Sequence, residues 1–180
     1  MKKWLNSFFF FFIFSFLSAQ NVNYEDYFQK ESLRVDFLIY GSHKSENAII
    51  HQLKKEPYYG GGTSSQLFSP DYGEFKILAY DKATQRLIFS KGFSPIFQEW
   101  QATDEAKSIQ KAFENSIQIP FPKYEIMIEI KKRNKKGRFE TVMNQNIDPN
   151  DFTIIKEKPK LYPTHIIQQN GLAKNKVDIV

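Results

Sequence analysis

The clearest structural pattern in the sequence is Tyr124-Glu125-Ile126-Met127-Ile128-Glu129-Ile130, where Tyr124 and the three isoleucines occupy every second position. Successive side chains of a β-strand point to opposite faces, so this period of two predicts a strand with one buried face. We expect the three isoleucines to face the core. Residues 131–138 then turn through Asn134 and Gly137, and residues 139–147 are expected to pair back as the second strand of a hairpin.

The same alternation recurs on both sides of this hairpin. It predicts further strands at 33–39, 75–79, 86–90, 117–119 and 152–156, the fourth of these ending at Pro120. The polar turn at 81–84 joins two of the strands into a hairpin. Only residues 103–112 show a helical period as well as the strand period, and Asp104 and Glu105 could begin one helical turn there. Seven or eight strands separated by turns predict an all-β protein, folded as an antiparallel β-sandwich.

Length and composition suit one ordinary domain with a packed core. The chain has 180 residues, of which 41% are hydrophobic and 25% are charged, with a formal net charge of +5. Such a composition argues against global disorder. The sequence contains no cysteine, which excludes a disulfide scaffold, thiolate zinc sites and thiol nucleophiles.

The amino-terminal residues have the pattern of a secretory signal peptide. Met1-Lys2-Lys3 is basic, residues 4–17 are almost wholly apolar, and Ser18-Ala19 supplies small residues before a polar segment. We predict a signal peptide at 1–19, and hence a periplasmic, cell-surface or extracellular protein of a Gram-negative bacterium. No stable membrane anchor is expected after cleavage. The alternative is an uncleaved anchor, although the apolar stretch is short for a membrane span.

The mature chain divides into a sandwich and a tail. Residues 20–160 carry the predicted strands, whereas residues 161–180 begin as an extended, polar connector. The last four residues, Val177-Asp178-Ile179-Val180, have the character of the start of a buried strand.

Motifs for catalysis or metal binding are missing from the sequence. His43, His51 and His165 stand alone, and none belongs to an HExxH pair. The sequence has no GxSxG elbow, no GxGxxG after a strand and no P-loop. The one glycine cluster, Gly60-Gly61-Gly62, leads into a polar segment and not into the helix that a phosphate cradle requires. We therefore assign no catalytic residue, no metal ligand and no cofactor.

Four aromatic residues are candidates for a recognition surface. Tyr58 and Tyr59 precede the glycine cluster, which is expected to form either a mobile loop or part of a recognition or interdomain surface. Phe97 and Trp100 belong to the aromatic segment 93–100. If exposed, this segment could stack on sugar rings. If buried, it closes one end of the sandwich, and we favour burial because Phe and Trp dominate cores energetically.

Residues 131–138 carry six positive charges in eight positions. Such a run could hold a polyanion, or it could be the solvated tip of the predicted hairpin. No aromatic residues stand between these charges, so the run offers no ring on which a nucleic-acid base could stack. We favour the solvated tip and expect no nucleic-acid partner.

Several short motifs, in a fixed order, carry a resemblance to a known family. They are Glu25-Asp26-Tyr27-Phe28, Ser32-Leu33-Arg34-Val35-Asp36-Phe37, Glu56-Pro57-Tyr58-Tyr59-Gly60-Gly61, Asp71-Tyr72-Gly73, Phe89-Ser90-Lys91-Gly92-Phe93-Ser94, the run from Phe97 to Ala106, Pro120-Phe121-Pro122 and Ile147-Asp148-Pro149. Together they resemble the N-terminal domain of Bacteroidota secreted metallopeptidases of the IgA-peptidase type. The resemblance covers about residues 24–163.

The resemblance implies a β-sandwich that precedes a zinc peptidase domain. In that family the zinc site uses an HExxH motif, which this sequence lacks, so no catalytic residue is carried over. The peptidase domain of the family begins with a strand that resembles Lys176-Val177-Asp178-Ile179-Val180. We therefore expect a fragment, a split gene or a prematurely ended product that lacks the peptidase domain.

The resemblance also implies a role and its partners. The expected role is a non-catalytic accessory domain that positions or stabilises the peptidase domain or its protein or glycan substrate. One alternative is a stand-alone extracellular module that binds glycan or protein through Tyr58, Tyr59, Phe97 and Trp100. A further alternative is a hydrolase with an unrecognised pair of carboxylates.

Overall fold

A computed structural model describes residues 22–64, 67 and 72–160, together with positions 162, 163, 165, 167 and 171. In this part of the chain two four-stranded sheets pack face to face, with strand orders β5-β1-β2-β8 and β4-β3-β6-β7. The strands are β1 Phe28–Ser42, β2 Ser45–Glu56, β3 Phe75–Asp81, β4 Leu87–Phe93, β5 Lys111–Pro122, β6 Ile126–Arg133, β7 Phe139–Ile147 and β8 Ile155–Lys156. The helices are α1 Tyr24–Tyr27, α2 Phe97–Gln101 and a 3-10 helix, Glu105–Lys107. The predicted all-β sandwich is confirmed.

The hairpin of β6 and β7 matches its prediction closely. Ile126, Ile128 and Ile130 are buried, with at most 1% of their surface exposed. They pack with the alternating buried residues of the neighbouring strand β3, which pairs antiparallel with β6. The alternation in the sequence therefore gave the correct register, because each inward position of β6 meets the apolar interior between the sheets.

The opposing sheet is organised around the long strand β1. Leu33, Val35, Phe37 and Ile39 point inward and are at most 1% exposed, whereas the intervening side chains point outward. Strand β2 pairs antiparallel with β1 but has no fully buried residue, so its sequence shows no strong alternation and it was not predicted. The short strand β8 pairs parallel with β2, which makes this sheet mixed.

Some strand boundaries differ from the predictions. Strand β5 does not end at Pro120 but continues to Pro122, because it is an edge strand in which a missing backbone donor is tolerated. Tyr124 lies in a bend before β6 and is 61% exposed. The strand predicted at 152–156 is reduced to β8, and Phe152 lies in the preceding turn. The turn predicted after Asp104 is present as the 3-10 helix.

The two ends of the sandwich are built from different segments. One end, which we call the exit end, is where β2 finishes and where the chain continues from β8. At this end Lys123 N–H donates to the carbonyl of Tyr27 at 2.8 Å. At the opposite end, the β1–β2 turn meets the 3-10 helix through a 3.0 Å bond from His43 N–H to the carbonyl of Ala106. Gly41 shapes this turn, because a Cβ at that position would overlap the carbonyl of Ser45.

Candidate functional site

The aromatic segment at 93–100 forms a plug at the opposite end of the sandwich. Phe97 is fully buried and Trp100 is 8% exposed. Their ring centroids lie 5.5 Å apart, and both rings pack against Phe113 of β5 at 5.9 and 5.5 Å. The structure thus has the burial that the sequence analysis favoured, and neither ring offers a face for stacking on a sugar.

Hydrogen bonds fix the plug in place. The indole Nε1 of Trp100 donates to the Glu105 carboxylate at 2.7 Å, and Lys111 Nζ donates to the same carboxylate at 2.6 Å. The bonds from Lys111 and then Trp100 lower the pKa of Glu105. Gln101 Nε2 donates to the carbonyl of Ser42 at 2.9 Å, which ties α2 to the end of β1. The plug is therefore part of the structural core.

The two tyrosines occupy different environments at the exit end. Tyr59 N–H donates to the carbonyl of Lys30 at 2.9 Å, and its ring stacks on Tyr24 with centroids 6.3 Å apart. Burial, and to a lesser degree the neighbouring Tyr24, raises the pKa of Tyr59 to about 12. Tyr58, in contrast, is 72% exposed. Only Tyr58 of this pair is therefore fully presented to a partner.

The four candidate aromatics do not form one surface. Tyr59 N–H donates a hydrogen bond to the carbonyl of Lys30, near the start of β1. Gln101, next to Trp100, donates a hydrogen bond to the carbonyl of Ser42, the last residue of β1. The intervening twelve steps of strand span about 40 Å. A shared recognition surface of Tyr58, Tyr59, Phe97 and Trp100 is incompatible with this separation and with the burial of the last two.

The exit end also exposes two aromatic side chains, Tyr124 and Phe152, that were predicted to lie in strands. Tyr124, between β5 and β6, is 61% exposed, and Phe152, between β7 and β8, is 94% exposed. Together with Tyr58 they put one exposed ring on each of three loops, which we call the exit-end aromatics. Pro122 before Tyr124, and the turn residues 148–151 before Phe152, are the sequence signals that mark these loops.

A cleft lies beside the point where the chain leaves the sandwich. It has a volume of about 420 Å³ and is lined by Lys55, Pro57, Tyr58, Glu157 and Pro159, among others. Glu157 N–H donates to the carbonyl of Lys55 at 2.9 Å, which holds the exit segment against β2. Further large apolar side chains are exposed along this part of the chain, namely Ile155, Tyr162 and Ile167.

A network of charges on the outer face of the first sheet supports the exit segment. Arg34 donates to both oxygens of Asp36, at 2.8 and 3.0 Å, and to Glu56 at 3.2 Å. The hydrogen bond from Arg34, supported by one from Ser116, lowers the pKa of Asp36. Lys54 lies 3.9 Å from Asp36 and 3.7 Å from Glu157. Each of these carboxylates has a cationic partner, and Arg34 joins Asp36 to Glu56 across strands β1 and β2.

The basic run at 131–138 is partly absorbed by the fold. Lys131 pairs with Glu129 at 3.1 Å, and Lys132 bridges to Glu46 of the other sheet. The guanidinium of Arg133 lies 4.5 Å from the ring centroid of Phe139. Lys131, Lys132 and Arg133 therefore belong to β6 and have partners within the domain, and the solvated tip predicted over 131–138 is confined to the turn at 134–138.

The described residues offer no evident metal centre. In residues 22–64, 67, 72–160 and the isolated positions beyond, no three His, Cys, Asp or Glu side chains are grouped so that they could hold a metal ion. His43 lies in the β1–β2 turn and His51 lies in the middle of β2. Across the same residues, no helix has the length and apolar character to cross a membrane. The predicted signal peptide at 1–19 lies outside the described residues.

The structure thus defines a class, namely a β-sandwich domain with a closed aromatic end and an exit end that exposes aromatic side chains. Residues 23–144, more than half of the chain, match the family described as Peptidase M64 N-terminus. The chain belongs to this family, and the resemblance to the N-terminal domain of IgA-peptidase-type enzymes is confirmed. A comparison with curated proteins found no match.

Proposed function

We propose that this chain is a non-catalytic accessory domain that positions or stabilises the peptidase domain of a secreted zinc metallopeptidase, or its substrate. The observation that carries the proposal is the family match over residues 23–144. The family describes the N-terminal region of peptidases, so the domain stands before the catalytic part of such enzymes. The predicted signal peptide at 1–19 accords with a secreted enzyme.

The distribution of aromatic side chains supports this role over that of an independent binding module. Phe97 and Trp100, the candidate sugar platform, are buried in the plug. The exit end exposes the rings of Tyr58, Tyr124 and Phe152, and the opposite end exposes the ring of Tyr72, so neither end carries the sugar platform that was one alternative for residues 93–100.

A stand-alone module that binds glycan or protein is the second candidate. It is favoured by the exposure of Tyr58 and by the cleft of about 420 Å³ beside it, since an exposed ring next to a cleft can stack on a sugar. Unlike the accessory role, this function requires no peptidase domain.

The test compares the catalytic domain of a peptidase M64 relative in two forms, alone and joined to the carboxyl end of residues 20–180. We expect the joined form to unfold several degrees higher, because a neighbour that binds only the folded state stabilises it. Peptidase activity and bound zinc should be found in both forms and not in residues 20–180 alone. An unchanged melting temperature, together with unchanged kcat/KM, would contradict the accessory role.

The second candidate is separated by binding of the unjoined chain to soluble glycans. A glycan that binds with a dissociation constant in the micromolar range, and that no longer binds after Tyr58→Ser, would favour the stand-alone module. The matched control is Phe97→Leu, because the Phe97 ring is fully buried and cannot contact a glycan.

A further inference from the structure

The outer face of the first sheet carries a depression beside an irregularity in strand β2. Strand β1 pairs Asp36 with Gln52 and Phe37 with Ile50, so His51 is an extra residue without a partner on β1. Such a β-bulge changes the direction of the side chains around it. His51 and Gln52, although consecutive, both line the depression. Regular alternation would have sent one of them to the opposite face of the sheet.

The central strand β1 forms the floor of the depression. Asp36 and Leu38 alternate with buried residues of β1, so their side chains point to the outer face. Strand β5 pairs with the other side of β1 and places Ser116 beside Asp36 and Glu114 beside Leu38. Neighbouring strands lie about 4.8 Å apart, so the walls on β2 and β5 are separated by about 10 Å. This width allows one small molecule to lie over β1 and contact both walls.

The size and lining of the depression suit a small polar ligand. Its volume is about 340 Å³, and sites for small molecules range from about 300 to 1,000 Å³. The polar groups of its walls include the His51 ring, the Gln52 amide and the Glu114 carboxylate. In the described part of the chain, none of these three side chains has a hydrogen-bond or ionic partner. Their donors and acceptors are therefore free to bind a ligand.

The charges around the depression favour a neutral ligand. The Asp36 carboxylate accepts two bonds from Arg34, at 2.8 and 3.0 Å, and one from the Ser116 hydroxyl at 2.7 Å. Lys54 lies 3.9 Å from the same carboxylate. In the lining as a whole, Arg34 and Lys54 offset Asp36 and Glu114, so the formal charges cancel. An ionic ligand would gain no net attraction, whereas hydroxyl groups can donate to a carboxylate and accept from an amide.

An apolar strip continues from the depression along the same face. Ile49 of β2 pairs with Leu38 in the floor and is 51% exposed, and Tyr40 is 37% exposed two residues further along β1. Side chains two residues apart on a strand share a face and are separated by about 7 Å. A sugar ring combines hydroxyl groups at its edge with apolar C–H faces, and an aromatic ring such as that of Tyr40 can pack against such a face.

We propose that this depression, formed by β1, β2 and β5 at the His51 bulge, is a binding site for a neutral saccharide. Gln52 and Glu114 bind its hydroxyl groups from the two walls, Leu38 contacts the apolar face of the ring, and Tyr40 receives a second sugar unit. The lining residues differ from those of the cleft beside Tyr58. This inference goes beyond the accessory function and does not depend on it, because its test uses no peptidase domain.

Titration of the purified chain with sugars, followed by two-dimensional amide NMR, tests the proposal. The neutral probes are glucose, galactose, mannose and N-acetylglucosamine, each alone and in short oligosaccharides. Glucosamine and N-acetylneuraminic acid are the cationic and anionic probes. We expect a neutral sugar to bind with a dissociation constant on the order of 1 mM. The amide signals that shift should be those of residues 36–38, 51–52 and 114–116.

The site variant Gln52→Ala/Glu114→Gln removes a hydrogen-bonding group from each wall. Its matched control, Gln145→Ala/Glu99→Gln, makes the same two changes at exposed positions of β7 and α2. We expect the dissociation constant to rise about tenfold or more in the site variant, because lost hydrogen bonds to a ligand have effects of that order, and to stay unchanged in the control. Urea unfolding verifies that both variants fold. If the double variant does not fold, the single change Glu114→Gln at an exposed position replaces it, with the same expected direction.

Three results would overturn the proposal. The first is that no neutral sugar binds at concentrations well above the millimolar range, or that only the charged probes bind. The second is equal affinity of the site variant and its control, which would mean that the sugar binds elsewhere. The third is loss of affinity in Tyr58→Ser with full affinity in the site variant, which would assign the sugar to the cleft at the exit end.

Discussion

Replacing Phe97 by alanine tests whether the aromatic segment is core or platform. The Phe97 ring is fully buried and lies 5.5 Å from the Trp100 ring and 5.9 Å from the Phe113 ring, measured between centroids. Truncation removes these contacts and leaves a cavity, because Trp100 is held in place by its bond to Glu105. The expected loss in the free energy of unfolding is about 3–5 kcal/mol.

Equilibrium unfolding in urea measures this loss on residues 20–180. With an m-value of about 2 kcal/mol/M, the midpoint should fall by roughly 1.5–2.5 M, while m itself stays unchanged. The matched control is Ile96→Ala at the adjacent position, where the side chain is 60% exposed. That change should cost less than about 0.5 kcal/mol, as is usual for surface substitutions.

A Phe97→Ala variant as stable as Ile96→Ala would contradict the buried position of Phe97. Such an outcome would mean that the segment does not pack as the plug. A sugar platform would then become the better explanation of its aromatic content, particularly if glycan binding were lost in the same variant.

Three further predictions concern electrostatics, register and processing. The pKa of Asp36 is lowered from its usual 3.8, so the contribution of this carboxylate to stability is complete above about pH 4 and is lost as the pH falls through the lowered value. Asp36→Asn should therefore destabilise the domain at about pH 7 and much less at about pH 2. Urea unfolding at the two pH values measures the difference. Ile128→Asp should cost several kcal/mol because it buries an unpaired charge, whereas Met127→Asp on the opposite face of β6 should cost clearly less, and equal losses would show that the register is wrong. Mass spectrometry of the exported protein should find Gln20 at its amino end, and finding Lys2 there would rule out cleavage after Ala19.

Much of the fold could be predicted where the strands bury one face completely. Strands β1, β3, β6 and β7 were anticipated because burial of every second side chain leaves a visible apolar period in the first three, and turn residues delimit the fourth. Strand β2 was missed because none of its side chains is fully buried, so selection for apolar residues at alternate positions is weak. The end of β5 was placed too early because Pro120 was interpreted as a stop, although an edge strand tolerates it.

The candidate site could be predicted only in part. Tyr58 was identified from its place beside the glycine cluster, and it is exposed at the exit end. Tyr124 and Phe152 were assigned to strands because they continue an apolar alternation at the strand ends. Whether such a terminal residue joins the ladder or turns outward depends on loop hydrogen bonds, such as that from Lys123 to Tyr27, which join positions far apart in the sequence.

The all-β class, the central hairpin of β6 and β7 and the family could be inferred from the amino-acid order alone, because these rest on local periodicity and on short motifs in a fixed order. Which aromatic side chains are buried became clear only from the packing of the folded chain. Phe97 and Trp100 pack against Phe113 from a distant strand, whereas Tyr58, Tyr124 and Phe152 are 61–94% exposed. The physical reason is that alternation fixes the face to which a side chain points, whereas burial depends on what packs against that face.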